Sequence, residues 1–338
     1  MINARILLVI SFMVVLAAGP VSAQPPASIG SNPPGSALYA VASGVAKVAT
    51  DAGVVRLNVQ PYAGSSTFLP LLDTGELEFG LNNSVDLGLS YRGPTFKIGG
   101  RNPMPAVASA RLVFRSAPLV VAPVVRRDAP YRTIQDLKGK RVTGEYPANL
   151  AIWYNVFGWL SSAGLTWDDV KVVRVVGLNE GIDALIQGRA DASSYALNGA
   201  KVREADATVG VRHLSLDCSP EGEKRLRAAV PGYYPKRIAK GAAAGVLEDI
   251  CAAAYDTYVV AGKGADDKLV EALAHAVWEN ADKLPAFHPL LRGWTRQDMA
   301  HADVTLPYHP AAIRFYKEKG VWTPAMEQAQ QRLLAVSR

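Results

Sequence analysis

The sequence lacks the short motifs by which the commonest enzyme classes are recognised. It contains no Gly-x-Ser-x-Gly nucleophile turn, no Gly-x-x-x-x-Gly-Lys phosphate loop and no His-Glu-x-x-His zinc motif. Its five histidines never stand four residues apart, the spacing that places two imidazoles on one face of a helix. The residues therefore nominate no catalytic site, no metal ligands and no cofactor. Because catalytic groups can also converge from distant positions, an exported hydrolase with an unfamiliar catalytic set stays open as an alternative.

Long apolar runs are absent except at the amino terminus. There, Arg5 precedes the apolar run Ile6–Ala18, and Val21–Ala23 places small residues where a signal peptidase reads them. The run is shorter than the ~20 apolar residues that a membrane-spanning helix needs. We therefore predict that residues 1–23 are a signal peptide cleaved after Ala23, and that the mature chain is soluble and periplasmic. A membrane anchor is the alternative.

Cysteine is scarce. The chain has only Cys218 and Cys251, which are too few and too far apart in sequence to form a metal site by themselves. Export would place both thiols in an oxidising compartment, where disulfides form and persist. The sequence therefore predicts a disulfide between them. Two buried free thiols are the alternative, because cysteine is often buried without a bond.

Charge of one sign is only slightly in excess. The chain has 36 Lys and Arg residues against 30 Asp and Glu residues, a formal net charge of +6. The basic residues are scattered and do not alternate with aromatic residues as in a nucleic-acid-binding surface, so no nucleic acid partner is expected. An excess of positive charge does bias a cleft toward anions.

Short apolar strands alternate with amphipathic helices along the chain. Leu57–Gln60 is typical of a strand, Ser65–Thr74 of a helix, and Glu78–Leu81 of the next strand. The same unit recurs twice between residues 140 and 194. Strands separated by helices predict an α/β fold with parallel sheets.

Two long extended runs interrupt this alternation. They are Ser116–Arg126 and Ala252–Ala261, and each stands between α/β segments. Such a pair suits a chain that crosses from one lobe to another and returns. We therefore predict two lobes, the first formed by residues 24–120 and 256–338, and the second by residues 121–255.

Three small polar turns stand at predicted strand ends. Gly30–Ser36 and Ala63–Ser66 precede helices, and Asn82–Ser84 follows a strand. Ligands of open α/β sheets bind beyond the carboxyl ends of the strands, and helix N-termini there offer unpaired N–H groups to an anion. Ordinary helix capping is the alternative for each turn, since Ser and Asn are preferred caps.

Six segments carry a family resemblance, in this order: Pro33–Tyr39, Gln60–Ser66, Gly75–Ser84, Ile134–Val142, Gly188–Ala192 and His309–Gly320. Together they resemble the TAXI-type solute receptors, which serve tripartite ATP-independent periplasmic (TRAP) transporters. The resemblance spans nearly the whole mature chain. It implies a two-lobed periplasmic binding protein fold of the type II kind with two hinge crossings, a ligand cleft between the lobes, a TRAP-type membrane permease as partner, and no catalysis.

The turns and the resemblance together predict the ligand-binding residues. From the first lobe we expect Ser36, Tyr39, Gly64, Ser65, Ser66, Asn83 and Ser84, and from the second lobe Asn149, Tyr195 and Asn198. Three of these have an ordinary structural alternative: Tyr39 and Tyr195 as core residues with a wet hydroxyl, and Asn149 as a helix cap.

The predicted function is capture of a small organic acid and its delivery to a TRAP-type permease. The resemblance points to a carboxylate, a dicarboxylate or an acidic amino acid such as glutamate. We expect the receptor to be a monomer without a cofactor. A periplasmic sensor component, which would pass the signal to a membrane kinase, is the alternative within the same binding class.

Overall fold

The computed structural model describes residues 26–336. The predicted signal peptide, residues 1–23, and its cleavage site therefore lie outside the described residues. Within residues 26–336, we find no helix that combines the length and the apolarity needed to cross a membrane.

The described chain alternates strands and helices, which confirms the α/β class. The strands are β1 (Pro26–Ser31), β2 (Arg56–Pro61), β3 (Phe79–Asn83), β4 (Arg111–Arg126), β5 (Arg141–Glu145), β6 (Lys171–Val175), β7 (Ala192–Ala196), β8 (Val211–His213), β9 (Tyr234–Ile238) and β10 (Ile250–Ala261). The helices are α1 (Ala37–Asp51), α2 (Ser65–Thr74), α3 (Ser84–Arg92), α4 (Ala151–Ser162), α5 (Leu178–Ile186), α6 (Ala200–Val209), α7 (Pro220–Ala229), α8 (Asp267–Glu279), α9 (Pro310–Glu318) and α10 (Pro324–Ala335).

The strands form one sheet with two parallel groups. Its order is β2-β1-β3-β10-β4-β7-β5-β6, with β8 beside β4 and β9 beside β10. Strand β1 pairs in parallel with β2 and β3, and β5 pairs in parallel with β6 and β7. We call the first group with helices α1 to α3 the first lobe, and the second group with α4 to α6 the second lobe. The residue bounds given above for the lobes stay a prediction.

Two long antiparallel strands, β4 and β10, join the parallel groups. Strand β10 pairs with β3 on one side and β4 on the other, and β4 continues to β7. The register of β10 against β4 shifts between Tyr255 and Thr257. Strand β4 contains Pro118 at this point, which has no N–H to donate to the ladder. The shift is a β-bulge, and it leaves Asp256 outside the regular pairing.

Close packing of α2 on the first sheet fixes the position of the turn before it. Phe68 and Leu72 are fully buried. An added Cβ at Gly30 would lie 2.9 Å from the Phe68 ring, and one at Gly80 would lie 3.2 Å from Leu72. The two glycines therefore let α2 approach β1 and β3 more closely than any other residue would. Helix α2 ends at Gly75, which takes the left-handed conformation with a φ of 85°.

The segment between β5 and α4 differs from the prediction. Helix α4 begins at Ala151 with Leu150 at its cap, so the alternative role of Asn149 as the helix cap is wrong. The chain turns sharply after β5, because Glu145 and Tyr146 both have positive φ values, 72° and 51°. The buried Tyr146 hydroxyl donates a 2.5 Å hydrogen bond to Thr143 Oγ1, which holds this turn. The turn leaves the Asn149 side chain free for another role.

A disulfide joins Cys218 and Cys251, which are 33 residues apart in sequence. Cys251 lies at the start of β10, and Cys218 lies in the segment that leads into α7. The bond therefore ties the linking strand to the segment before α7, a helix that packs against α4 of the second lobe.

Candidate functional site

A small cavity of about 20 Å³ lies between the two lobes. It has room for about one or two water molecules. Asn32 directly follows β1, Asn83 ends β3, and Tyr195 stands near the end of β7, so the cavity faces the carboxyl ends of strands from both lobes. Its lining consists of Asn32, Ser36, Ala37, Leu38, Asn83, Leu119, Val121, Asn149, Ala151, Ile152, Asn155, Leu178, Tyr195, Ala196 and Tyr255.

The structure brings four of the ten sequence-predicted ligand residues together at this cavity. They are Ser36 and Asn83 from the first lobe and Asn149 and Tyr195 from the second. The other six do not line it: Tyr39, Gly64, Ser65, Ser66, Ser84 and Asn198. A contact of any of the ten with a ligand stays a prediction.

Asn149 has an unusual environment. Its side chain is fully buried, and neither the amide nitrogen nor the amide oxygen has a hydrogen-bond partner among the described residues. The Oδ1 atom of Asn32, on the opposite wall, is buried and unpartnered as well. Leaving such groups unpaired costs about 1–3 kcal/mol each. A bound ligand could therefore supply the hydrogen bonds that these atoms lack.

Helix N-termini from both lobes surround these amides. The first residues of α1, Ala37 and Leu38, line the cavity, as do Ala151 and Ile152 at the start of α4 and Leu178 at the start of α5. First-turn N–H groups carry the positive end of the helix dipole and have no partner inside a regular helix, but Ile152 N already donates to Asn149 O at 3.2 Å. The first turns of α1 and α4 contain no acidic side chain that would neutralise this end. The cavity is therefore suited to an anionic group.

No charged side chain lines the cavity. The nearest acid in sequence to the lining residue Asn83 is Asp86, in the first turn of α3, and it is fully buried. Ser65 Oγ donates a 2.7 Å hydrogen bond to Asp86 Oδ2, and Asn82 Nδ2 donates to the same oxygen at 3.2 Å. Burial raises the pKa of Asp86 to about 6, against the lowering effect of these hydrogen bonds. The Ser65 hydroxyl is thus engaged with the carboxyl group of Asp86, and neither residue lines the cavity.

Ser36, Asn83 and Tyr195 on the lining already have protein partners, whereas Asn155 Nδ2 is buried without one. Ser36 Oγ accepts from Tyr39 N at 3.1 Å and so caps α1. Asn83 Oδ1 accepts from Asp86 N at 2.7 Å and so caps α3. Tyr195 donates to Asn179 Oδ1 at 2.9 Å, and its burial raises its pKa above the ordinary value. These three side chains line the cavity, but they already make their main hydrogen bonds to other groups of the protein.

Sequence reasoning missed three polar lining residues: Asn32, Asn155 and Tyr255. Asn32 stands inside the first polar turn, so the turn was found but the residue was not. Asn155 lies on the apolar face of α4, where it accepts a hydrogen bond from the Tyr233 hydroxyl and lies beside Tyr255. An amide on an otherwise apolar helix face is the signal that could have found it. Nothing in the apolar run of β10 distinguishes Tyr255 as a cavity residue.

The turn Gly64–Ser66 packs against the other lobe at the rim of the cavity. Ser66 Oγ lies 2.8 Å from Pro147 O and 2.6 Å from Ala148 O, and it can donate to one of them at a time. A Cβ at Gly64 would lie 2.0 Å from Ala148 O. Across the cavity, Ala200 N donates to Gly35 O at 2.9 Å. These contacts hold the lobes together in this conformation.

The arrangement supports binding by hydrogen bonds. The lining offers amide, hydroxyl and backbone groups, and it contains no histidine, cysteine or carboxylate that could act as a base or ligate a metal. Across residues 26–336, no group of three or more His, Cys, Asp or Glu side chains converges in a way that could hold a metal ion.

The comparisons with solved structures identify the fold as that of the two-lobed periplasmic binding proteins, which confirms the predicted fold. A structure described as a periplasmic transporter matches with a TM-score of 0.54 at 12% identity, over 92% of this chain and 96% of that chain. The alkanesulfonate-binding protein SsuA from Xanthomonas axonopodis pv. citri, solved with MOPS, matches with a TM-score of 0.48 at 14% identity, over 93% and 85%. An ancestral arginine-binding protein, solved with arginine, matches with a TM-score of 0.47 at 15% identity, over 78% and 98%.

The family follows from the sequence model that matches the chain. The model of the NMT1-like family matches residues 29–320, which is most of the chain. The chain belongs to the NMT1-like family.

Proposed function

We propose that this protein is a periplasmic receptor that captures a small organic acid between its lobes. The observation that carries the proposal is the pair of unpartnered, buried amide atoms of Asn149 in the interlobe cavity. Helix N-termini of both lobes converge on the same cavity and favour an anionic group. A site with these groups and no acid–base pair binds its ligand without transforming it.

Lobe closure is the proposed mechanism. A ligand favours a closed conformation only when it binds that conformation better than the open one. Asn32 and Ala37 lie in the first lobe, and Asn149 and Ala151 lie in the second, so one small ligand can contact both only when the lobes are together. The cavity of about 20 Å³ is smaller than an organic acid needs. We infer that the lining side chains shift to admit the ligand while the contacts of Ser66 and Gly35 with the second lobe stay in place.

We further propose delivery of the ligand to a TRAP-type permease. The six segments that resemble TAXI-type receptors, which follow one another along the chain from Pro33–Tyr39 to His309–Gly320, support this partner. The predicted signal peptide supports a periplasmic location for the mature chain. A monomer that presents its closed form to the permease suffices for this role.

Native mass spectrometry of the protein purified from its own periplasm tests the proposal most directly. We expect a bound organic acid, seen as a mass increment that disappears on denaturation. Titration of the ligand-free protein with that acid should lower the radius of gyration measured by small-angle scattering. An unchanged radius at saturation would contradict closure, and chemical conversion of the acid during incubation would show an enzyme instead.

A further inference from the structure

The unpartnered hydrogen-bonding atoms of the cavity restrict the chemical class of the ligand further than the ligand's negative charge alone does. We propose that the ligand is a short-chain 2-hydroxy monocarboxylate, with the carboxylate held by helix N-termini and the hydroxyl held by the amide oxygens of Asn149 or Asn32. The inference rests on the proposed function and narrows it.

The buried lining side chains offer two unpartnered acceptors and two unpartnered donors. Asn149 offers one of each, Nδ2 and Oδ1, Asn32 adds a second acceptor, Oδ1, and Asn155 adds a second donor, Nδ2. Because Asn149 has both atoms free, exchanging its nitrogen and oxygen assignments changes nothing. A plain carboxylate has only acceptors and would leave both amide oxygens buried and unpaired. A ligand with an O–H or N–H group beside its carboxylate satisfies them.

Only one anionic group of the ligand finds a matching environment. The favourable partners are the N–H groups of the lining residues that open the helices, namely Ala37 and Leu38 of α1, Ala151 of α4 and Leu178 of α5, and no arginine, lysine or histidine lines the cavity. A second carboxylate would be buried without a cation, which is strongly unfavourable. This narrows the predicted ligand classes, because dicarboxylates and glutamate each carry two carboxylates.

A hydroxyl fits the donor position better than an ammonium does. An ammonium buried against neutral amide oxygens alone lacks a counter-charge. The carboxyl group of Asp86 is not part of the lining, and its Oδ2 atom already accepts from Ser65 and Asn82. A hydroxyl needs no counter-charge and donates one hydrogen bond while accepting another.

The remaining walls of the cavity favour a short apolar chain. Eight of the fifteen lining residues are alanine, valine, leucine or isoleucine, among them Leu119 and Val121 of β4 and Ile152 of α4. The rim contacts at Ser66 and Gly35 hold the lobes close. A long chain would separate these contacts, so the ligand that permits closure is small.

Isothermal titration with four acids of equal chain length tests the inference. The probes are butanoate, 2-hydroxybutanoate, 2-aminobutanoate and butanedioate, each titrated into ligand-stripped full-length mature protein. We expect 2-hydroxybutanoate to bind at least tenfold more tightly than each of the other three. Equal binding of butanoate, or tighter binding of 2-aminobutanoate or butanedioate, would overturn the inference while leaving an acid receptor intact.

A variant pair identifies the residue that reads the hydroxyl. Asn149→Leu should bind butanoate and 2-hydroxybutanoate within about threefold of each other, because both amide atoms are gone. Asn58→Leu is the matched control, since Asn58 is an exposed asparagine of β2 that does not line the cavity, and it should keep the tenfold preference. Discrimination that survives in Asn149→Leu would refute the role of Asn149. The wild-type panel decides the ligand class even if the variant does not fold.

Failure of the inference and failure of the proposed function are distinguishable. If none of the four probes binds at millimolar concentration while native mass spectrometry finds another organic acid, the inference is wrong and the receptor function stands. If neither experiment finds an acid, both are wrong.

Discussion

Replacing Gly64 with alanine should weaken ligand binding without unfolding the protein. The backbone of Gly64 is extended, with a φ of 174°, so alanine causes no local strain. Its Cβ would instead lie 2.0 Å from Ala148 O and 2.6 Å from Asn149 Cβ in the other lobe. A carbon and a carbonyl oxygen need about 3.3 Å. The lobes would therefore stop about 1 Å short of their present separation.

The size of the effect follows from the contacts that this gap removes. Ser66 Oγ would move beyond hydrogen-bond distance of Ala148 O, and the loss of one such bond costs about 0.5–1.5 kcal/mol. Asn149 would lose its best geometry toward the ligand, at a cost of about 1–2 kcal/mol. A total of about 1.5–3.5 kcal/mol corresponds to an affinity weaker by roughly 10- to 300-fold.

Two measurements test this prediction. Isothermal titration with the tightest-binding acid of the probe panel gives the affinity, and thermal unfolding of the ligand-free protein gives its stability. Gly158→Ala is the matched control. Its Cβ would lie 3.4 Å from Leu226, Tyr233 and Val230, ordinary contacts that do not cross the cavity. Its affinity should stay within twofold of the wild-type value. A Gly64→Ala protein that binds as tightly as the control would refute closure at this turn.

Three further predictions concern stability. The folded pKa of Asp86 is raised from 3.8 to about 6, so the folded state binds more protons than the unfolded state between these values. Stability should fall by about 3 kcal/mol as pH rises through that window, and the difference in urea-unfolding free energy between Asp86→Asn and wild type should grow by that amount. The pKa of the buried His213 is lowered from 6.5 to about 4, which has the opposite sign. Its contribution should be lost as pH falls from 6.5 to 4, by about 3 kcal/mol, and the same urea series on His213→Gln should show no such loss. Reducing the disulfide, or the double change Cys218→Ser with Cys251→Ser, should lower the unfolding free energy by about 3–4 kcal/mol for the 33-residue separation. An unchanged urea midpoint would contradict this.

The regular elements could be predicted well from the sequence. The helix Ser65–Thr74 has the predicted bounds, because its apolar spacing and the glycine that follows it are local signals. The long runs that became β4 and β10 were also visible, since continuous apolar sequence with prolines is typical of strands at special positions. The start of α4 was not predictable, because Glu145 and Tyr146 have positive φ values in a turn where Tyr146 bonds to Val175 O and Ser193 Oγ, which are distant in sequence.

The candidate site could be predicted only in part. Asn83 stands at a strand end, and polar residues at strand ends are readable from the sequence. Asn155 sits within a helix, so its place on the lining depends on how α4 packs. The sequence also drew attention to Gly64 and Ser66, but it could not show that they meet Ala148 of the other lobe, since that contact exists only in the assembled pair of lobes.

The β-bulge between Tyr255 and Thr257 has a mechanical consequence. We expect the lobes to turn about Asp256 as a pivot, because β10 pairs with β9 up to Ala254 and with β3 only from Thr257 onward. Tyr255 lines the cavity directly beside this pivot, so it has almost no lever arm and hardly moves when the lobes turn. Asn149 and Gly64 lie outside the two linking strands, so we expect them to move further than Tyr255. The ligand should therefore first contact Tyr255, which keeps its position. The amide of Asn149 should reach the ligand only when closure is complete.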